Sequence, residues 1–434
     1  FLKGNISYYQ LSWDLLSYFP PGRPYYVGGY EFLIALFYYI FSQFVNISLA
    51  KFSIYFIAAF SALCSIPAFL LARKITNSNL AGLLAALLIT LSPAFISVSM
   101  AGYVDSDVVY VFYTYLTIFF TLIAIEKYEK INFKNFKSLI FSTLKVLPYI
   151  LLAVIFYILF AWNWNSGYYV YTIIFLPFSI LLFVSSILFS LISKKSKIDI
   201  FKTLEAPIKV FYILILIGIF CEIFTFILEK IFYPLSLPKP FSTLIWQIYL
   251  TLKGGLKHAL LVNISVAELQ IINPIQQFSE IASRVGFLPL IISLIGFPIL
   301  IIYKFSKYRK LEMIEIFLIT WFLVSLYLIT QGIRFSLLFA TSLAIFASYT
   351  IINLFRVLIE IYNNIKNQNV KDFVKIMLIF FASVFIYALI FGYLDNSVRL
   401  ASAMTGMEIN ENWRAALEFL KRNCLLYTSP SPRD

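Results

Sequence analysis

Windows of about twenty mostly apolar residues recur along almost the whole chain, and that recurrence limits what it can become. A helix needs about 20 such residues to cross the hydrocarbon of a bilayer. Runs of this kind fall at roughly 52–74, 80–98, 108–126, 139–161, 168–193, 207–228, 286–303, 313–330, 335–355 and 373–394. They are continuous rather than alternating, so they predict helices and not the strands of a membrane barrel. Composition agrees, with 61% hydrophobic and 13% charged residues, against about half apolar and a quarter charged in a soluble domain. The expected fold class is all-α, a polytopic transmembrane helical bundle.

A formal charge of +13 raises the question of nucleic acid, and the placement of the charge answers it. Lys and Arg fall in alternate short loops: Arg73-Lys74, Lys127 to Lys137, Lys194 to Lys209, Lys304 to Lys310 and Arg356 to Lys375. The intervening short loops, around Asp105, at Trp162–Gly167 and at Gln331–Arg334, carry only Arg334. Such alternation is the signature of orientation in a bilayer, with the basic loops cytoplasmic. No nucleic-acid partner is expected; membrane lipids are. Asp105, Asp107, the loop 229–285 and Arg334 then emerge on the outer side. Residues 31–48 are apolar but short. Reading them as a span would break this parity, so 1–48 is taken as a first outer loop holding a short non-spanning helix. A transmembrane domain follows over 49–394.

The single histidine, His258, excludes chemistry built on histidine pairs. Cys64, Cys221 and Cys424 have no spacing that suggests a metal or disulfide framework. Acids at a membrane boundary, by contrast, are costly and usually functional. Asp105 and Asp107 sit two residues apart between two apolar runs, and an Asp-x-Asp turn offers clustered carboxylates to a hard divalent cation. Asp107 could equally be the N-cap of the run that follows it. Glu268 lies in Ser265-Val266-Ala267-Glu268, which also fits a capping box at a helix start. Arg334 could snorkel to headgroups or clamp a phosphate, to which guanidinium geometry is suited. Trp162, Trp164, Tyr168 and Tyr169 read as an interfacial aromatic belt.

With these positions placed, the chain resembles the catalytic subunit of oligosaccharyltransferases, the membrane enzymes of N-glycosylation with a GT-C glycosyltransferase fold. Gly102-Tyr103-Val104-Asp105-Ser106-Asp107 is similar to the family's second acidic motif, Ser265 to Glu268 to its Ser/Thr-x-x-Glu motif, and Arg334-Phe335 to its pyrophosphate-contacting arginine. Asn412 to Asn423 is similar to the helix leading into the soluble acceptor domain, so 395–423 is expected to be that lead-in. Residues 424–434 continue no pattern and are expected to be a non-native tail.

The resemblance implies a catalytic and metal-holding set of Asp105, Asp107 and Glu268, with Mg2+ or Mn2+ as cofactor. It implies Arg334 on a polyprenyl (dolichyl) pyrophosphate or phosphate donor. The acceptor would be Asn of Asn-x-Ser/Thr in a polypeptide, its nitrogen displacing the donor phosphate with inversion at the anomeric carbon, on the outer face of an archaeal or bacterial plasma membrane. Three departures stand against it: Ile6 where the first-loop acid is expected, Val98 where an arginine is common, and no Trp-Trp-Asp-Tyr-Gly block. The chain as it stands is therefore expected to be inactive. A protein O-mannosyltransferase-like enzyme is the nearest alternative, and a secondary transporter the more distant one.

Overall fold

A computed structural model describes residues 13–14, 23–24, 28–102, 105–129, 136–164, 169–192, 200–231, 239–242, 245, 277–308, 311–332 and 335–404, and positions 415, 418, 419 and 422. Glu268, Arg334, Ile6, the Ser265 motif and residues 423–434 lie outside them. Apart from a two-residue antiparallel ladder, β1 (Trp13–Asp14) with β2 (Arg23–Pro24), the described residues are helical. Nine helices among them are long and apolar enough to cross a membrane, or ten if one bent pair counts as a span. The protein is an integral membrane protein.

The helix α1 (Gly29–Phe41) has 13 residues. At about 1.5 Å per residue it falls short of a hydrocarbon core of about 30 Å, as the loop parity requires. The helices α2 (Leu49–Leu63) and α3 (Ser65–Thr76) make one span, and α4 (Asn79–Thr90) with α5 (Pro93–Ser99) make the bent pair. Next come α6 (Asp107–Glu129), α7 (Phe136–Asn163), and α8 (Leu176–Ile192) after a π-helical start at Tyr169–Phe175. The helix α9 (Ile200–Ile231) is followed by α10 (Gln277–Val285), which is amphipathic. The next span joins α11 (Phe287–Ile291), a π segment and α12 (Phe297–Tyr308). It leads to α13 (Met313–Gln331) and α14 (Ser336–Asn364). The last span runs from α15 (Gln368–Tyr387) through a π segment into α16 (Asp395–Met404), past the expected boundary at 395.

The two most deeply buried spans are α14 and α6. The most apolar window of α14 is 94% buried, and that of the last span 0%. Small side chains make this possible: Ala340, Ser342, Ala344, Ala347 and Ser348 let neighbouring backbones approach. Their hydroxyls are satisfied locally, Ser342 donating to the Phe339 carbonyl at 2.9 Å and Ser348 to that of Ile345 at 2.8 Å. The Tyr115 hydroxyl ties the two helices by donating to the Thr341 carbonyl at 2.9 Å. Cys64 and Cys221 are buried free thiols, as packing residues should be.

The apolar run at 80–98 forms a pair of helices bent by 61°. The cause is Ser92-Pro93, where proline has no N–H to donate. The Ser92 amide turns to the Ile89 carbonyl and the Phe95 amide to that of Ser92. The carbonyls of Leu88 and Leu91 thereby lose their usual helical donors. Tyr393 supplies the first with its hydroxyl at 2.7 Å, and Ser397 the second at 2.5 Å. The last span is thus latched onto the break that leads into the Asp105 loop. The Tyr393 ring also lies against Gly286, whose φ of +95° suits glycine. A Cβ there would overlap that ring. Gly286→Ala is expected to lower stability by about 1–3 kcal/mol from backbone strain alone, read as an earlier thermal transition in detergent.

One set of helix ends is tied together by the basic residues. Lys74 pairs with Glu126 and Lys307 with Glu360. Arg356 donates to the Thr76 carbonyl at 2.8 Å, and Lys304 pairs with the buried Glu315 at 2.5 Å. The opposite ends of α6 and α14 hold Asp107 and Ser336.

Candidate active site

Between α5 and α6 the chain turns through Gly102, at φ +97°, whose amide donates to the Ile54 carbonyl at 3.3 Å. This pins the loop to α2 and delivers Asp105 and Asp107 to the start of α6. Asp105 is exposed and Asp107 half-buried. The Asp105 Oδ1 accepts from the Ser106 amide at 2.6 Å. The capping expectation for Asp107 is corrected by one residue: the Ser106 carbonyl accepts from the amides of Val109 and Tyr110, and Asp107 is the first helical residue. A carboxylate in that first turn is favoured by the helix dipole.

Both aspartates line a cavity of about 260 Å³. Its other walls are Ala94, Ser97 and Val98 of α5, Tyr110 of α6, Trp164, Arg284 of α10, and Phe335 to Leu338 at the head of α14. Residues far apart in sequence thus meet at one end of the bundle. Phe335, the chain neighbour of Arg334, is among them. Val98, where the resemblance expects arginine, adds no charge to the wall.

Several other acids in or near the described spans have structural partners. Glu222 accepts from the amides of Phe241 and Ser242 at 2.8 and 3.0 Å. Glu229 pairs with Lys239 at 2.5 Å, and Glu126, Glu315 and Glu360 pair with lysines. The Asp105–Asp107 turn faces the cavity. Two hard carboxylates two residues apart suit a divalent cation held in oxygen coordination. Among the described residues no third His, Cys, Asp or Glu joins them. Glu268, the expected third ligand, lies outside the described residues.

Four residues here were not singled out for chemistry in the sequence. Trp164 is not a belt residue; its ring stacks on Tyr110 at 4.9 Å between centroids and helps wall the cavity. Tyr169 is fully buried, with its hydroxyl at 3.2 Å from both Trp321 Nε1 and Ser325 Oγ, so it too leaves the belt. Tyr30 of α1 is buried, and its hydroxyl has no hydrogen-bond partner among the described residues. Burial first, then the carboxylates of Asp105 and Glu31, raise its pKa well above the usual tyrosine value. Arg284 sits in the amphipathic helix just before a span, and only that position hinted at it.

A family model described as "Oligosaccharyl transferase STT3, N-terminal" matches residues 3–394. The chain belongs to that oligosaccharyltransferase family. Over 171 residues it is 26% identical to a dolichyl-phosphooligosaccharide-protein glycotransferase of Methanococcus voltae, covering 38% of this chain and 17% of that protein. Its fold is similar to that of an Archaeoglobus fulgidus oligosaccharyltransferase tethered to an acceptor peptide with an NVT sequon. The TM-score is 0.62 at 19% identity, over 96% of this chain and 52% of that one. An archaeal oligosaccharyltransferase from the same organism, in complex with an inhibitory peptide and a dolichol-phosphate, matches at 0.61 and 18% identity, over 95% and 52%. A complex with Zn and sulfate matches at 0.56 and 18%, over 98% and 49%. The chain spans about half the length of these solved relatives. The likeness establishes the transmembrane helical bundle expected from the apolar runs, of the GT-C type that the resemblance implies.

Proposed function

We propose that this chain forms the membrane-embedded, donor-side part of an oligosaccharyltransferase that moves a glycan from a polyprenyl (dolichyl) pyrophosphate or phosphate to the Asn side chain of Asn-x-Ser/Thr in a polypeptide. The observation that carries the reading is the convergence of Asp105, Asp107 and the head of α14 on one cavity in a chain of this family. The basic loops sit at the other end, which supports an outer-face site. The prokaryotic, archaeal-leaning plasma membrane is the setting that the archaeal relatives support.

The donor's lipid tail would stay in the bilayer while its diphosphate enters the cavity. Asp105 and Asp107, with Glu268, would hold Mg2+ or Mn2+. That ion would offset the negative charge gathering on the departing phosphate oxygen. Arg334 would meet the same charge with a bidentate guanidinium. The acceptor nitrogen is a poor nucleophile because its lone pair is delocalised into the carbonyl, and Glu268 would hydrogen-bond its N–H and accept the proton it loses. The C1–N bond forms as the C1–O bond to phosphate breaks, on opposite faces, so the anomeric centre inverts.

Transfer itself tests this. The chain, carrying Ile6→Asp, is joined to the remainder of the Archaeoglobus enzyme and given a polyprenyl pyrophosphate oligosaccharide, Mn2+ and a fluorescent Asn-x-Thr peptide. A glycopeptide sensitive to EDTA is expected. Product on the Thr hydroxyl instead, or undiminished transfer in EDTA, would overturn the reading.

A further inference from the structure

We propose that Arg284 is a second cationic contact for the donor's diphosphate, placed on the wall of the cavity contributed by α10; this rests on the donor-side reading above. Arg284 lines the same cavity as Asp105 and Asp107. Its only ion pair among the described residues is with Glu280 one turn back, at 3.4 Å and with side chains 38% and 33% exposed. So loose and wet a pair does not account for the position of the group. Its Nε is buried without a hydrogen-bond partner among the described residues, and a buried guanidinium N–H left unpaired is unfavourable. An anion in the cavity would satisfy it.

Charge points the same way. Two carboxylates and one guanidinium on the cavity wall leave it one unit negative, and a divalent cation between the carboxylates would make it one unit positive. A metal-loaded cavity therefore favours an anion, and a guanidinium fork matches phosphate oxygens in pairs. First-turn residues of α6 and α14 also line the cavity, and the helix dipoles add positive potential there.

Arg284 is held where it can do this. Gly286, two residues on, is packed under the Tyr393 ring, and the Tyr393 hydroxyl holds the Leu88 carbonyl at the break leading to the Asp105 loop. One anchor therefore registers the arginine and the aspartates against each other.

The test uses the full chain in detergent, wild type beside Arg284→Ala and Arg284→Lys. Mn2+ affinity is followed by electron paramagnetic resonance, and calorimetry follows inorganic pyrophosphate binding with and without Mn2+. Arg284→Ala is expected to weaken pyrophosphate binding about tenfold or more, and Arg284→Lys less, with Mn2+ affinity in the absence of pyrophosphate changed by less than about twofold. The lysine variant keeps the measurement interpretable if the alanine variant folds poorly. Unchanged pyrophosphate affinity, or no pyrophosphate binding by the wild type, would overturn the proposal. So would a loss confined to phosphatidylglycerol nanodiscs or to an acidic acceptor peptide, since either assigns the arginine elsewhere. Asp105→Asn separates the two ideas. Retained Mn2+ binding in that variant counts against the metal site, while the dependence of pyrophosphate binding on Arg284 is read independently in chains that keep both aspartates.

Discussion

Asp105→Ala in the transfer-competent fusion is expected to lower the rate of glycosylation by a factor on the order of 10³ or more. Asp105 is exposed, and the hydrogen bonds described for it are to Ser106, its own neighbour. Its removal should therefore cost the fold less than about 1 kcal/mol. A folded, inactive protein is the outcome that separates a ligand role from a capping role. Glu268→Ala should produce the same loss. Saturating Mn2+ should not restore either variant, because the missing carboxylate fixes where the ion sits as well as how tightly it binds. Full activity in either variant would remove that residue from the mechanism. Thermal melts alongside the transfer assay provide the check.

Lys304→Met should have the largest effect on stability, about 3–5 kcal/mol. Glu315 is buried at the start of α13, and its Oε1 accepts from the Lys304 ammonium at 2.5 Å and the Tyr349 hydroxyl at 3.0 Å. Its Oε2 closes a capping box with the Glu312 amide at 2.8 Å. Removing the lysine leaves a carboxylate in low dielectric with hydrogen bonds but no counter-charge. Lys304→Met combined with Glu315→Gln should recover much of the loss, since the glutamine needs no cation. Chemical denaturation in detergent would show both steps. Equal destabilisation by the single and double changes would contradict a charge-based explanation. The cluster joins α12, α13 and α14 at the end remote from the cavity, so pyrophosphate binding by the folded fraction should be unaffected.

Much of the membrane architecture was legible because burial in lipid demands one thing, a long apolar helix, and the chain writes that demand plainly. The short α1 was readable from loop parity. The bend at Ser92-Pro93 was not, because a proline at the end of an apolar run looks the same whether or not a distant tyrosine and serine are waiting to satisfy the freed carbonyls. Asp105 and Asp107 stood out since a carboxylate beside a bilayer needs a reason. Arg284 did not, since an arginine near a membrane surface has many ordinary reasons to be there. What marks it is the company of a cavity wall built from five other parts of the chain. Trp164 and Tyr169 misled because aromatic residues at a boundary serve the interface and the core alike, and only packing tells them apart.

The most direct measurement is anomalous diffraction, or an equivalent cryo-electron-microscopy map, from the full chain soaked with Mn2+ and inorganic pyrophosphate. A single cation peak about 2.0–2.6 Å from carboxylate oxygens of Asp105, Asp107 and Glu268 is expected. A chain with Glu268 at the end that carries Lys304 and Arg356, or with no cation at the aspartates under saturating Mn2+, would contradict it.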